Sequence, residues 1–371
     1  MREKPRHGVG GHAAERVAER GERERSGSGR HPRLVPAEVD AQPTAGQIPV
    51  REQRDNDRPG GLGPQPGEAV GGEGDDRHTQ GRAELQELLK DRFGLEALGE
   101  FEDIIEHIYD FCEKAELNID TMIHESGAAQ LEVNFVHGDA LALADQVLLF
   151  KRIVRQVALE HGVYATFLAK PMSDQPGSAM HIHQSILEES SGRNIFSTPN
   201  GRDSSLFRSY IAGLARLLPQ VTPLFAPNVN SFRRMRPDTS APINVQWGAD
   251  NRSCGLRIPV SESKDRRIEN RLPGADANPY LAIASSLVCG YIGMVDRMQP
   301  PKSITGNAYN RARTLPRTLE AALDRFSHAK QVRAHLGEDF FDLFYAIKEA
   351  ELFAYQSVIS SWEREHLLLR V

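Results

Sequence analysis

The chain has 371 residues and a net charge of −6, so it has room for two domains or one large one and no overall basic surface for nucleic acid. Its three cysteines, Cys112, Cys254 and Cys289, are few, odd in number and far apart, which excludes a disulfide framework or a zinc ribbon and points to a reducing cytoplasm. The N-terminus carries no apolar core of a signal peptide, and no uncharged stretch reads as a membrane span.

Residues 1–82 differ in kind from the rest. They are rich in Gly, Arg, Pro, Glu and Ala, with no aromatic residue before Phe93 and a single lysine, Lys4, before Lys90. Such a segment buries too little apolar area to offset its ordering entropy and reads as disordered. The same bias is what GC-rich DNA gives when translated out of frame, so a misassigned or frameshifted start is a second reading.

From residue 83 to 371 the pattern is that of a folded domain. Residues 84–116 read as helical, with Phe101, Ile104, Ile105, Ile108 and Phe111 at helical spacing. The segment AAQLEVNF (128–135) alternates: Leu131, Val133 and Phe135 point one way and Gln130, Glu132 and Asn134 the other, with Glu125 just upstream in HESG. Asp139 to Gly162 is a second helix, since Leu143, Val147, Phe150, Val154 and Val157 recur in steps of four and three and Gly162 suits the stop. The segment GSAMHIHQS (177–185) is a strand with Met180 and Ile182 on one face and His181, His183 and Ser185 on the other. That polar face is either solvated or part of a metal or phosphate site.

Asp203 is placed as the cap of a helix running to Leu218. NSFRRMRPD (230–238) adds Arg233, Arg234 and Arg236 to the charged strand faces, GADNRSCGLRIPV (248–260) adds Arg252 and Arg257, and DRRIENRLPG (265–274) puts Arg267, Glu269 and Arg271 on one face. Asn278 and Pro279 cap a long uncharged run, Ala277 to Val295, that reads as a buried core helix. Strands in runs rather than alternating with helices indicate the α+β class.

A charged strand face taken singly is a solvated one. Here the charges accumulate. Glu125, Glu132, His181 and Glu269 suit a hard divalent cation. Arg234, Arg252, Arg257, Arg267 and Arg271 suit carboxylate and phosphate. Metal ligands and many arginines without a GxxxxGK[ST] loop point to phosphoryl transfer in an open sheet cavity. A metal-dependent hydrolase built on the H-x-H pair is the competing reading, and the arginine abundance speaks against it.

Four segments, HESGAAQLEVNF, KPMSDQPGSAMHIHQS, NSFRRMRPDTSAPINVQWGADNRSCGLRIP and RRIENRLPGADANPYLA, resemble the glutamine synthetase family in content, order and spacing. The last two are most similar to the branch that ligates glutamate to polyamines. The resemblance implies an α+β catalytic domain with a curved antiparallel sheet flanked by helices, truncated at its N-terminal side. It implies an ATP-dependent ligase that forms a γ-glutamyl amide through γ-glutamyl phosphate, with Mg2+ or Mn2+ as cofactor. Its substrates are glutamate, ATP and an amine or ammonia, and with the family's N-terminal domain present it assembles as a homo-oligomer, without nucleic acid or membrane as partner.

By the same resemblance Glu125 and Glu132 hold the metal beside glutamate, and His181 and Glu269 the metal beside ATP. His183, Ser185, Arg257 and Arg267 lie on the nucleotide, Gly177, Arg234 and Arg271 on glutamate, and Arg252 with Arg271 act at the transferring phosphoryl. The chain departs from the family at three points. The small N-terminal β-domain, which completes a neighbouring subunit's site, is not recognisable. Nor is the first catalytic strand with its E-x-E pair of metal ligands. The ammonia-binding glutamate falls on Ser240, which favours a larger amine. An inactive remnant that binds nucleotide or joins an intact paralogue is the alternative.

Overall fold

The computed structural model describes residues 101–371, apart from 128 and 238, and the backbone course of residues 38–45. All of these belong to one compact unit, Val35–Val371. Most of the segment expected to be disordered, and the start of the helix expected from residue 84, lie outside the described residues. Within that segment Glu38–Ala45 forms a strand, β1.

The other strands are β2 (Ile119–His124), β3 (Leu131–Phe135), β4 (Gly138–Asp139), β5 (Met180–Ser185), β6 (Trp247–Ala249), β7 (Leu256–Ile258) and β8 (Ile268–Asn270). They form a sheet in the order β2-β3-β1-β5-β8-β7-β6, with β4 paired to β1. Among the described residues every pairing is antiparallel except β6–β7, which is parallel. The α+β class with an antiparallel sheet is therefore as expected. Strand β1 fills the slot between β3 and β5 where no strand was legible. Its register sets position 40 opposite His183, 42 opposite His181 and 44 opposite Glu132.

The helices are α1 (Glu102–Lys114), α2 (Ala140–Glu160), α3 (Ser205–Leu217), the single turn α4 (Ser231–Arg234), α5 (Pro279–Val295), α6 (Leu319–Ser327), α7 (Lys330–Leu336), α8 (Glu338–Gln356) and α9 (Ser361–Leu367). Asp139 starts α2 by accepting hydrogen bonds from the amides of Leu141 and Ala142, both at 3.0 Å. Leu143, Val147, Phe150, Val154 and Val157 make its buried stripe, and Gly162, at φ +73°, follows its end. Asn278 caps α5 through the Leu281 amide with Pro279 in the first turn, and the helix is largely buried, as its sequence indicated.

Two expectations are corrected. Asp203 does not cap α3: the Ser204 hydroxyl accepts from the Phe207 amide at 3.0 Å, and Asp203 pairs with Arg266 at 3.0 Å. The NSFRR segment is a helical turn rather than a strand.

Two helices fix the centre of the sheet from behind. Gly213 on α3 and Gly293 on α5 touch backbone to backbone: a Cβ on Gly213 would stand 2.2 Å from the Cys289 carbonyl. From that layer the Tyr210 hydroxyl donates to Gln184 on β5 at 2.6 Å, and Asn270 on β8 donates to Ser286 on α5 at 3.0 Å. Gln184 and Asn270 point back into the helices, so by strand alternation His183 and Glu269 point forward. Nor is the forward face open to solvent, since His183 is only 4% and Glu269 1% exposed.

No helix among the described residues is long and apolar enough to cross a membrane. The three cysteines are free and buried.

Candidate active site

The forward face is organised around one buried carboxylate. In the β5–β8–β7 register Glu269 lies opposite His183 and opposite Arg257, so the three side chains share a face. Glu269 Oε2 accepts from Arg257 Nη1 at 2.7 Å, and Oε1 from Arg271 Nη1 at 2.5 Å. His181 Nδ1 stands 3.5 Å from Oε1. Burial pushes the carboxyl's pKa up, but His181, Arg271, His183 and the bond from Arg257 outweigh it and hold it at about 2. Burial pushes His181 well below its ordinary value, so it is neutral at pH 7. The carboxylate favours the tautomer with the proton on Nδ1, which leaves the Nε2 lone pair of His181 open.

His183 is neutral as well, brought down to about 4 chiefly by burial. Its Nδ1 accepts from Arg267 Nε at 3.2 Å. The ring proton therefore sits on Nε2, which is buried and has no hydrogen-bond partner. A buried N–H without an acceptor marks the place for a ligand oxygen. His183, Ser185 and Arg267 line one cavity of about 290 Å3, together with His137, Lys264 and Asp265.

A second group lies at the β2–β3 corner. Glu125 follows β2, and Glu132 sits opposite Ile123 in the β2–β3 register. Burial, a hydrogen bond shared with Glu125 and the Glu125 charge raise the Glu132 carboxyl to about 7. A carboxyl raised by a neighbouring carboxylate is a favourable partner for a divalent cation, which would relieve the repulsion between the two. Gln130, 1% exposed, fastens this corner to the next by donating to the Gly177 carbonyl at 3.2 Å and to the Ser178 hydroxyl at 3.3 Å.

The third group holds buried guanidiniums. Arg234 is 3% and Arg271 6% exposed. Arg234 Nη2 donates to the Leu272 carbonyl and Arg271 Nη2 to the Ser240 carbonyl at 3.3 Å. The Nε of each is buried without a partner. Burial brings Arg234 down to about 10, against the pull of Asp276. Gly177 packs directly on the Arg234 stem: a Cβ there would lie 2.5 Å from Arg234 Cγ.

Sequence reasoning missed several supports. Asp276 accepts from Ser231 Oγ at 2.6 Å and Asn228 Nδ2 at 2.9 Å, tying the loop after β8 to the turn that carries Arg234. Lys151 donates to the Ala275 and Ala277 carbonyls on either side of it, at 2.7 and 3.0 Å. Ser240, at φ +59°, acts through its carbonyl. A lysine amid the apolar stripe of α2 was the one visible signal. Arg252 stands apart from these groups, exposed in the turn after β6.

The donors fit divalent metal in pairs, Glu125 with Glu132 and His181 with Glu269. Among the described residues no group of three or more His, Cys, Asp or Glu gathers closely enough to hold an ion. Strand β1 runs between the two pairs.

The catalytic-domain model of glutamine synthetase matches residues 68–367. The chain is 34% identical to the γ-glutamylputrescine synthetase PuuA of Escherichia coli (strain K12), over 79% of this chain and 61% of that protein. It is 33% identical to a glutamate–isopropylamine ligase from a Pseudomonas species, over 70% of this chain and 58% of the other. Among solved structures, ligand-free GmaS superposes with a TM-score of 0.72 at 26% identity, covering 90% of this chain and 72% of GmaS. The chain thus spans about three fifths of the length of the curated relatives it matches. The four ordered motifs, the sheet they build and the family match over most of the chain lead to one conclusion: it belongs to the glutamine synthetase family, of which it carries the catalytic domain.

Proposed function

We propose that the chain catalyses ATP-dependent ligation of glutamate to an amine through γ-glutamyl phosphate. The observation that carries the reading is Glu269, a buried carboxylate joined at once to His181, Arg257 and Arg271. It lies between the cavity of about 290 Å3 lined by His183 and two buried guanidiniums with unpartnered donors. In this reading His183 Nε2–H, Ser185 and Arg267 bind ATP, with Arg257 holding Glu269 on the nucleotide side. Arg234 and Arg271 present their free Nε–H groups to the glutamate carboxylates, with Gly177 leaving room for the Arg234 stem. Arg271 offsets negative charge on the phosphoryl oxygens as it passes to the γ-carboxylate, and Arg252, exposed in the turn after β6, would join it by folding in from that turn. The pairs Glu125–Glu132 and His181–Glu269 would hold Mg2+ or Mn2+, which screens the phosphates and orients them for in-line transfer.

The named activities of the two relatives, toward putrescine and isopropylamine, support an amine acceptor. Ser240 at the position of the family's ammonia-binding glutamate supports it too. Glutamate-dependent hydroxamate formation from ATP and hydroxylamine tests the reading. Formation that disappears in Arg271→Lys is expected, because Lys keeps the charge but not the bidentate geometry. ATP cleavage indifferent to glutamate would overturn it.

One observation favours a slow enzyme or a nucleotide-binding remnant. Positions 40 and 42, in register with the two histidines, are Asp and Gln rather than a pair of glutamates. We expect weak Mg-ATP binding and low turnover, because a neutral Gln at position 42 would bring no charge to a divalent metal.

A further inference from the structure

The segment that carries Arg234 has a second charged side. Phe232, Arg233, Met235 and Arg236 line a cavity of about 390 Å3 that does not include Arg234. Arg313 and Arg317 face it from a segment some 80 residues further on. Four arginines thus meet in one cavity where, among the described residues, Glu320 is the single acidic one in the lining. None of the four makes a salt bridge with a described residue. Arg313 donates to the Met235 carbonyl at 2.7 Å and Arg233 to the Tyr355 hydroxyl at 3.5 Å. Burial and the Arg317 charge both disfavour the proton on Arg313, a sign of crowding between like charges. The first turn of α6 reaches the same space through Leu319, adding the positive end of a nine-residue helix. The remaining wall mixes apolar side chains, among them Val229 and Leu352, with the polar Thr318, Tyr355 and Gln356.

Like charges converging on a partly apolar wall suit one chemistry, a small dianion with an organic body, because guanidinium forks take paired oxygens and the apolar side chains cover the body. We propose that this cavity binds a small organic dianion, a phosphate monoester or a dicarboxylate, and that its occupancy tightens glutamate binding. The route is short. The Thr239 hydroxyl bridges the carbonyls of Arg234 and Arg236 at 3.0 and 2.8 Å, and the next carbonyl, Ser240, receives Arg271. An anion that fixes Arg236 orders the segment on which both glutamate-facing guanidiniums depend. The coupling rests on the ligase reading; the anion site does not.

Calorimetric titration of the full chain with phenyl phosphate, inorganic phosphate and succinate tests it, with no ligase substrate present. One saturable phenyl phosphate site per chain is expected, several-fold weaker at 200 mM than at 50 mM salt. It should be at least ten-fold weaker in Arg317→Glu and in Arg236→Glu. Both positions are exposed, and equal unfolding temperatures would show the variants folded. Phenyl phosphate binding more tightly than inorganic phosphate supports the organic body, and succinate against phosphate identifies the head group. Absence of saturable binding, or binding that both variants retain, overturns the site. Glutamate titrated with and without saturating phenyl phosphate then tests the coupling, which is reciprocal if real. A several-fold gain in glutamate affinity is expected, and an unchanged affinity overturns the coupling. Failure of glutamate to bind at all counts against the ligase reading and leaves the anion site standing.

Discussion

Replacing Gly177 with alanine asks a single methyl group whether Arg234 belongs to the glutamate site. The new Cβ would lie 2.5 Å from Arg234 Cγ, 3.0 Å from its Cδ and 2.8 Å from the Ala169 carbonyl oxygen. That carbonyl cannot retreat cheaply, because it accepts the Ser178 amide at 2.9 Å. The Arg234 stem must therefore move, and the guanidinium leaves the Leu272 carbonyl with it. Overpacking of this kind costs about 1–3 kcal/mol, which lowers the unfolding temperature by roughly 2–4 °C per kcal/mol in a chain of this size. A displacement near 1 Å at a substrate-orienting group costs about 100-fold in rate. The assay is glutamate affinity by calorimetry beside thermal unfolding. Gly138→Ala is the control, since its Cβ meets no atom within 4 Å. A Gly177→Ala protein that binds glutamate as the wild type does would refute the placement of Arg234, whatever happens to its melting temperature.

Three further outcomes follow from the charged groups. Glu269→Gln should lose about 3 kcal/mol in denaturant unfolding at pH 7, since it strands the buried Arg271 guanidinium and takes one of two carboxylate partners from the half-buried Arg257; the folded pKa near 2 means this stability is present above about pH 4.5 and is lost as the pH falls through 2. Glu132 runs the other way: with its folded pKa raised to about 7, the metal-free protein should lose stability as the pH rises from 4.5 to 7. The loss should be about 1–2 kcal/mol once discounted for solvent screening, with millimolar Mg2+ restoring it at pH 8 and Glu132→Gln flattening the profile. Asp276→Ala should weaken glutamate binding more than Mg-ATP binding, because it frees the Arg234 turn from the loop after β8; equal losses for both ligands would show a general collapse instead.

What was legible in the sequence is what strand alternation carries. The face shared by His181, His183 and Ser185, and that shared by Arg267, Glu269 and Arg271, follow from the period of two in MHIHQS and RRIEN, while the pairing that sets His183 and Arg257 opposite Glu269 comes from the folded sheet. The buried stripe of α2 and the capped helix at Asn278 were readable for the same reason, since local chemistry decides them. Strand β1 was not. EVDAQPTA does alternate polar and small residues, but it has a single β-branched apolar residue and a proline, which lacks the amide a ladder uses. Its place is set by the gap between β3 and β5. Supports that act through backbone, such as the Ser240 carbonyl, leave no mark on a side-chain pattern. The arginine cavity likewise joins segments some 80 residues apart and appears when the chain is folded.

Phosphate release from Mg-ATP, measured with glutamate alone, with glutamate plus putrescine, with glutamate plus ammonia, and without glutamate or amine, bears most directly on the ligase reading. Release that requires glutamate, rises when putrescine is added, rises less with ammonia and yields γ-glutamylputrescine is the predicted result, even at low turnover. Release that proceeds at the same rate without glutamate would contradict it.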